Sequence, residues 1–331
     1  MSNVPSEAPP LRYLAAADVD ACLPAVGRRI ELAGVALRAL SAGAAEMPPK
    51  IGVHPRPGTL LHAMPAWLRE TDLVGLKWIA AFPGNKARGL AAINGLVVLN
   101  DPDTGLPTWI MDAARITAVR TAAVSGAAIR LYARRAQRVA IVGAGVQARS
   151  HLEVLAAELP AAQVSVYDRH TERAAAVAAA ANAAAGREWV SAATDVRAAV
   201  GAAELVITVA TMGAAKQAMT TDWLASGAVV VAVDFATYAS AQLAEAARAF
   251  VVDDREQFLF YRSGGHFDGF PDPTTTLGAD LVAAASGAEP GSSADGPLLV
   301  VHLGVGLADV VLGDAIAREA QGKGVGLELP R

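Results

Sequence analysis

The pattern of hydrophobic and polar positions divides the chain into two parts with different periodicity. From residue 139 onward, short apolar runs rich in valine alternate with stretches whose apolar positions follow helical spacing. Such alternation is typical of right-handed βαβ units, so we expect a parallel sheet covered by helices on both faces. The strands are predicted at residues 139–142, 164–167, 205–210, 229–234, 250–252 and 298–303.

The first part of the chain has a different pattern. Residues 14–45 carry apolar side chains at helical spacing and predict one or two amphipathic helices. A helix rich in small residues is predicted from about residue 116, with Thr117 as its cap. Between these helices, short β-like runs broken by Pro and Gly predict an antiparallel sheet, at residues 47–53, 60–66, 73–79, 92–100 and 108–111.

The junction between residues 139–142 and the following helix carries a dinucleotide-binding pattern. Gly143 permits a tight turn, Gly145 lets a pyrophosphate approach the main chain, and Ala148 is small enough for close packing of helix on strand. Val146 and Gln147 complete the turn, whose free N–H groups favour an anion at the start of a helix.

A second feature makes this pattern more specific. Asp168 ends the next predicted strand, 25 residues after Gly143, where an acidic side chain is placed to bind the adenosine ribose diol. The aspartate repels a ribose 2′-phosphate and so favours NAD, while the neighbouring Arg169 partly offsets the repulsion and leaves NADP possible.

Composition restricts the class of protein. The chain has 331 residues, 53% of them hydrophobic, which is enough for two domains. A net charge of −4 without a basic block argues against nucleic-acid binding. The single cysteine, Cys22, excludes an intrachain disulfide, no spacing suggests a metal site, and no apolar run is long enough to span a membrane. Because the first ten residues do not follow the pattern of a signal peptide, we expect a cytoplasmic protein.

Several residues have the chemistry of a substrate site. Lys50, Lys77 and Arg120 lie in or beside short apolar runs and predict a clamp for a substrate carboxylate, although surface ion pairs are an alternative explanation. His62 suits proton transfer, or is a structural histidine. Asp234, at the end of a predicted parallel strand, is either a ligand-binding acid or the cap of the next helix.

The chain resembles the ornithine cyclodeaminase/μ-crystallin family in a series of motifs that occur in the same order. They are Met47-Pro48-Pro49-Lys50, Met64-Pro65-Ala66, Gly75-Leu76-Lys77, Phe82-Pro83-Gly84-Asn85, Asn100-Asp101-Pro102-Asp103-Thr104-Gly105, Met111-Asp112, Ile116-Thr117-Ala118-Val119-Arg120-Thr121 and Gly143-Ala144-Gly145-Val146-Gln147-Ala148.

The resemblance implies a Rossmann-type doubly wound parallel sheet plus a mixed α+β domain for substrate binding and dimerisation. The expected domains are residues 1–117 with 304–331, for substrate binding, and residues 118–303, for the dinucleotide. The resemblance also implies a homodimer, an NAD or NADP cofactor and a small amino-acid or imino-acid substrate. Substrate-binding roles are implied for Lys50, His62, Met64, Lys77 and Arg120, and we expect Asn85, Thr121 and Thr211 at the cofactor.

One departure from the family changes the expected reaction. Cyclodeaminases of the family carry an aspartate six residues before a Glu-Leu pair, and the corresponding position here is Ala236. Asp234 lies two residues earlier and on a strand would face the same way. We therefore expect an amino-acid dehydrogenase or imine reductase, with Lys77, His62 and Asp234 as catalytic residues. A cyclodeaminase that releases ammonia and recycles NAD is the alternative, and a nucleotide-dependent binding protein is a third.

Overall fold

The computed structural model of the chain describes residues 10–211, 216–291 and 295–330, and the first nine residues lie outside them. In chain order the elements begin with β1 Leu11–Leu14, α1 Ala16–Ala21, α2 Val26–Ser41, β2 Ala45–Glu46, β3 Ile51–Val53, β4 Leu60–Leu68, β5 Leu73–Ala81, β6 Ile93–Asn100, β7 Pro107–Asp112 and α3 Ala113–Tyr132.

The second half continues the series with shorter strands. Its elements are β8 Arg138–Val142, α4 Val146–Glu158, β9 Gln163–Tyr167, α5 Thr171–Ala185, β10 Val190–Ala193, α6 Val196–Gly201, β11 Leu205–Thr208, β12 Val229–Ala232, α7 Ala241–Ala246, β13 Ala249–Val252, α8 Arg255–Ser263, β14 Thr275–Thr276, α9 Leu277–Ala285, β15 Leu298–Val301, α10 Gly306–Lys323 and β16 Leu327–Leu329. No helix formed by the described residues combines the length and apolarity that crossing a bilayer requires.

The chain divides into two compact units. The mixed-sheet unit comprises residues 1–25, 44–117 and 306–331, and the parallel-sheet unit comprises residues 26–43 and 118–305. These limits lie close to the expected domain limits except for residues 26–43, which group with the parallel sheet because α2 packs on α9 and α4. Amphipathic spacing identified the helix but did not indicate the surface that it covers.

The mixed-sheet unit is built on a sheet with the strand order β16-β1-β7-β6-β5-β4-β2, in which β3 also pairs with β4. The β4 to β7 pairs are antiparallel, as the short apolar runs predicted, whereas β1 pairs with β7 in parallel. Alternate residues of β4, β5 and β6 are buried where helix α10 packs on them, including Met64, Ala66, Val97 and Leu99. The period-two alternation of a strand thus sets one buried face.

The parallel-sheet unit has the strand order β10-β9-β8-β11-β12-β15-β13-β14, and every pair is parallel. The predicted strands are present, but three of them end earlier than expected, at Thr208, Ala232 and Val301. The residues beyond these ends form loops at the carboxyl edge of the sheet, where α/β proteins bind ligands.

Some helix limits differ from the predictions for local reasons. Helix α3 begins at Ala113 and not near Thr117, because the Asp112 carboxylate accepts a hydrogen bond from the Ala114 N–H at 2.9 Å. Helix α8 was not predicted, although its signal is in the sequence: Asp254 accepts a hydrogen bond from the Gln257 N–H at 2.7 Å, as an N-cap residue does.

Helices α3 and α9 are joined by one hydrogen bond, from the Tyr132 hydroxyl to the Asp280 carboxylate at 2.5 Å. We expect Tyr132→Phe to lower the free energy of unfolding by about 1–3 kcal/mol, the usual contribution of a hydrogen bond to a charged group. A double-mutant cycle with Asp280→Ala measures the coupling between the two side chains by chemical denaturation. A coupling energy of zero would contradict this assignment.

Candidate functional site

The predicted dinucleotide turn joins β8 to α4 in the parallel-sheet unit. Gly143 has φ +114°, and a Cβ built there would lie 2.8 Å from the carbonyl carbon of Val209, so only glycine fits. No atom lies within 4 Å of a Cβ built at Gly145, which leaves this backbone open to a ligand. Ala148 is completely buried, as expected for the small third position.

The groups around this turn fit a phosphate and a ribose. Gly145 caps the 13-residue helix α4, whose first N–H groups have no partners within the helix and favour an anion. Val146, the first residue of α4, is 66% exposed, and Gln147 beside it is half-buried. The turn therefore offers an accessible backbone surface for the pyrophosphate of a dinucleotide.

Asp168 lies beside the turn, directly after β9. One carboxylate oxygen accepts the Ala144 N–H at 2.9 Å and the other accepts the His170 N–H at 2.9 Å, which fixes the carboxylate at the edge of the turn. Asp168 lines a small cleft together with Gly143, Tyr167, Arg169, Arg173, Ala210, Thr211 and Tyr238. The residues present thus fit the adenosine half of NAD, and two arginines lie beside the aspartate.

Thr121 and Asn85, which were also expected at the cofactor, belong to different units. Thr121 is buried on α3, in the parallel-sheet unit. Asn85 belongs to a 3₁₀ turn, Pro83–Arg88, of the mixed-sheet unit, and its side chain donates a hydrogen bond to the Ala91 carbonyl at 3.0 Å.

In the mixed-sheet unit, the register of the strands places the expected substrate residues on one face. Met64 of β4 is the partner of Lys77 in β5, and His62 is the partner of Ile79. Strand β3, which follows Lys50, pairs with β4. Lys50 is 9% exposed and Lys77 is fully buried, so neither is an ordinary surface lysine. The register therefore places His62, Met64 and Lys77 on one side of the sheet, with Lys50 directly before β3.

Lys77 forms an ion pair that the sequence did not reveal. Its Nζ lies 2.7 Å from a carboxylate oxygen of Asp309 on α10, and both side chains are at most 1% exposed. Asp309 lies among apolar residues on a buried helix, and a lone carboxylate in such a stretch was the available signal. Buried charges require partners, so the pair fixes the position of the Lys77 ammonium.

His62 is held in its neutral form by its surroundings. Burial, followed by the positive charge of Lys50 and by His54, lowers the pKa of His62 to about 4. Near pH 7 the imidazole is therefore uncharged and accepts a proton or a hydrogen bond, whereas an isolated histidine would be partly protonated.

Asp234 lies in the parallel-sheet unit at the carboxyl end of β12 and is only 2% exposed. Its two carboxylate oxygens accept hydrogen bonds from the Thr208 hydroxyl at 2.6 Å and from the Ala210 N–H at 3.2 Å. Burial raises the pKa of Asp234 to about 7. The carboxylate is therefore used to hold the end of β12 to the end of β11.

The expectation that Asp234 and Ala236 face the same way on a strand is wrong. Strand β12 ends at Ala232, and Phe235 has φ +58°, in the left-handed region. The alternation of a strand does not apply to a chain that turns in this way. Ala236, which occupies the position of the family aspartate, has no carboxylate to contribute.

We expect Asp309→Ala to lower the free energy of unfolding by about 3–5 kcal/mol, because the charge on Lys77 stays buried after its carboxylate partner is removed. Chemical denaturation measures the loss. The matched control is the double variant Lys77→Met with Asp309→Leu, in which both charges are replaced and most of the stability should return. Equal stability of Asp309→Ala and the unmodified protein would refute the assignment.

We expect Lys50→Met to raise the pKa of His62, since a cation that opposes protonation of the imidazole is removed. The titration is followed by NMR, with His62→Gln used to assign the resonance. Arg69→Met, which removes an exposed cation of the same unit, is the control and should leave the titration unchanged. An unchanged His62 titration in Lys50→Met would exclude the electrostatic effect.

Comparison with known proteins identifies the family. Residues 14–260 match the profile of the ornithine cyclodeaminase/mu-crystallin family. The chain is 35% identical over 319 residues to the nodulation efficiency protein NfeD of Rhizobium meliloti, covering 96% of this chain and 98% of that protein. It is 30% identical over 313 residues to the alanine dehydrogenase of Archaeoglobus fulgidus, covering 89% and 90% of the two chains.

Among solved structures, an archaeal alanine dehydrogenase dimer with bound NAD superposes with a TM-score of 0.83 and 25% identity. The match covers 97% of this chain and 99% of that one. The family profile and these two relatives show that the chain belongs to the ornithine cyclodeaminase/mu-crystallin family.

Proposed function

We propose that the protein is an NAD-dependent oxidoreductase that transfers hydride between nicotinamide and the α-carbon of a small amino acid or imino acid. In the oxidative direction a hydride leaves the α-carbon and a proton leaves the nitrogen, which gives the imine. The reverse direction reduces an imine. The similarity to an alanine dehydrogenase and the nucleotide-binding cleft at Asp168 support this proposal.

The observation that carries the choice of reaction is the end of β12. A cyclodeaminase must also hold a distal ammonium, for which a carboxylate is the natural partner. Ala236 has none, and both oxygens of Asp234 accept hydrogen bonds from Thr208 and Ala210. This arrangement favours substrates without a distal amine.

The proposed roles follow from the chemistry of each side chain. Lys50 and Lys77 bind the substrate carboxylate, and the same role is proposed for Arg120 from the family resemblance. A fixed carboxylate orients the α-carbon and so favours hydride transfer, for which nicotinamide supplies the acceptor or the donor. His62, neutral near pH 7, accepts the proton that leaves the nitrogen.

Cyclodeamination stays the second candidate because Asp234 has an unusual protonation equilibrium. A carboxyl group with a pKa of about 7 exchanges protons readily near neutral pH, which suits acid/base catalysis. In that reaction the side-chain amine displaces ammonia from the imine and the ring imine is then reduced. The two candidates differ in net use of NAD.

For the cofactor, we propose that NAD is preferred and NADP is accepted more weakly. The Asp168 carboxylate suits a free ribose diol and repels a 2′-phosphate, while Arg169 and Arg173 in the same cleft offset part of that repulsion.

We also propose that the protein is a homodimer that associates through the outer face of the mixed sheet. Ile51, Ala63, Trp78 and Leu96 are successive partners across β3, β4, β5 and β6 and so form one row. Ile51 is 64%, Trp78 39% and Leu96 38% exposed. A contiguous apolar row of this kind marks an interaction surface, and the similar alanine dehydrogenase is a dimer.

We expect the protein to sediment as a dimer and the double variant Trp78→Arg with Leu96→Lys to sediment as a monomer, because the new charges would be buried without partners. Leu90→Lys alters an apolar side chain that is 58% exposed but lies outside the sheet, and should leave the dimer intact. A monomeric unmodified protein would refute this proposal.

The reaction is tested by incubating purified protein with NAD and, separately, L-alanine, L-proline, L-ornithine and L-lysine. We expect NADH to accumulate in proportion to the amino acid oxidised, fastest with a substrate that lacks a distal amine. Ammonia is assayed in parallel. Ammonia release from ornithine or lysine without NADH would favour the cyclodeaminase instead.

Lys77→Met should lower kcat/KM by about 100-fold or more, the usual effect of removing a charged group that contacts the reacting species. The double variant Lys77→Met with Asp309→Leu, whose charges are both replaced, should recover stability but not activity. Recovery of activity in the double variant would show that Lys77 does not bind the substrate.

A further inference from the structure

The guanidinium of Arg120 packs directly on the main chain of Gly304, and both residues belong to the parallel-sheet unit. A Cβ built at Gly304 would lie 2.4 Å from Nη1 of Arg120, 2.9 Å from Nη2 and 3.1 Å from Cζ. All of these distances are shorter than ordinary van der Waals contact. Arg120 is only 5% exposed, so this contact is buried.

The peptide groups of Gly304 are held on both sides. Its N–H donates to a carboxylate oxygen of Asp253 at 2.6 Å, and its carbonyl accepts from the Gln257 side-chain amide at 3.3 Å. Asp253 and Gln257 are 2% and 1% exposed. Hydrogen bonds buried to this extent are costly to break, so the backbone at Gly304 has a fixed orientation.

The fold explains why these residues meet. Strands β13 and β15 are parallel neighbours with Val252 opposite Val301, so Asp253 and the segment after Val301 leave the sheet at the same edge. Gln257 lies in the first turn of α8, whose N-cap is Asp254. Asp253 and Gln257 therefore come from one connection that faces the loop containing Gly304.

The same loop is fixed on its other side by His302. The His302 N–H donates to the Ala232 carbonyl at 3.1 Å. Its Nε2 lies 2.8 Å from the Ser125 hydroxyl, which also lies 2.8 Å from Nε2 of His151. All three side chains are at most 1% exposed. Residues 302–304 thus form a rigid support for the guanidinium.

We propose that Gly304, held by Asp253 and Gln257, positions the guanidinium of Arg120 for the carboxylate of the substrate. This rests on the proposed function in assigning Arg120 to the carboxylate. Gly304 supplies a surface without a side chain, so the planar guanidinium lies against the main chain. Its φ of +87° favours glycine as well. Asp253 and Gln257 act through this peptide and are positioning residues.

The main test is Gly304→Ala. The added methyl group meets the far end of a flexible side chain, so the protein folds and the guanidinium moves. We expect KM for the amino acid to rise about 10-fold or more, kcat to change less than about threefold, and the Kd of NADH to stay within about twofold, because a displaced guanidinium weakens carboxylate binding alone. KM within about twofold of the unmodified value would overturn the proposal.

Gly287→Ala is the matched control for backbone strain. Gly287 has φ +88° and nothing within 4 Å of a built Cβ, so the variant carries the same left-handed strain without touching a side chain. It should lower the midpoint of thermal unfolding about as much as Gly304→Ala does, with KM unchanged. An equal rise of KM in Gly287→Ala would show that strain, and not the guanidinium, causes the effect.

Asp253 variants separate positioning from simple structural support. Asp253→Asn keeps an oxygen that accepts the Gly304 N–H and should keep KM within about threefold, whereas Asp253→Ala should raise KM as Gly304→Ala does. Equal kinetics of Asp253→Ala and the unmodified protein would contradict a positioning role.

Crystal structures give a readout that does not depend on the reaction. In Gly304→Ala the guanidinium must move by about 1 Å or more, the difference between 2.4 Å and the 3.4 Å at which ordinary contact begins. If the unmodified protein oxidises or reduces no amino or imino acid, the proposed function fails. The displacement in the crystal structure would still show whether Gly304 positions the guanidinium of Arg120. An unmoved guanidinium in Gly304→Ala would overturn the positioning itself.

Discussion

The cost of burying a charge governs how the polar side chains of both units are arranged. In the mixed-sheet unit the Lys77 ammonium is buried at 2.7 Å from the Asp309 carboxylate. In the parallel-sheet unit the Asp234 carboxylate is buried against a hydroxyl and a backbone N–H, and burial raises its pKa to about 7. The result is a lysine paired with a carboxylate in the first case and an acid that titrates near neutral pH in the second.

His62 shows the same constraint acting on a neutral group. Burial and the charge on Lys50 disfavour the imidazolium, so the ring stays uncharged beside a cation. A neutral imidazole can accept a hydrogen bond from a substrate nitrogen, although the neighbouring cation and burial make it a weak base. The electrostatics that bind one part of the substrate therefore also set the protonation state of the group proposed to act on the other part.

The sequence predicted the parts of the site that depend on local geometry. The glycine turn is recognised because Gly143 and Gly145 act within one strand-turn-helix. The roles of Lys50, His62, Met64 and Lys77 came from the family resemblance and stay predictions, although the strand register pairs Met64 with Lys77. Asp309 lies 232 residues after Lys77, and no local pattern links the two. Gly304 and Asp253 are likewise joined only by the pairing of β13 with β15. Contacts of this kind depend on topology, which periodicity does not encode.

The orientation of Asp234 was mispredicted for a more local reason. Strand alternation was extended to Ala236, four residues beyond the end of β12 at Ala232, whereas the backbone at Phe235 is left-handed. A bulky residue in this region is uncommon and is tolerated where the surroundings hold it. Here Phe235 stacks on Phe267 and packs edge-on against Tyr261 and His266.

The loop after β12, which this aromatic packing holds, carries the position that separates the two proposed reactions. Hydride transfer needs the nucleotide turn and a fixed carboxylate, and these depend on the sheets. The group that distinguishes a substrate with a distal amine depends on the loop after β12, where a single side chain adds or removes a carboxylate. Ala236 brings no carboxylate to this loop, while Asp234 beside it is tied to Thr208 and Ala210. In the proposed function, a change of side chain in this loop would alter substrate choice and leave the nucleotide turn and Lys77 in place.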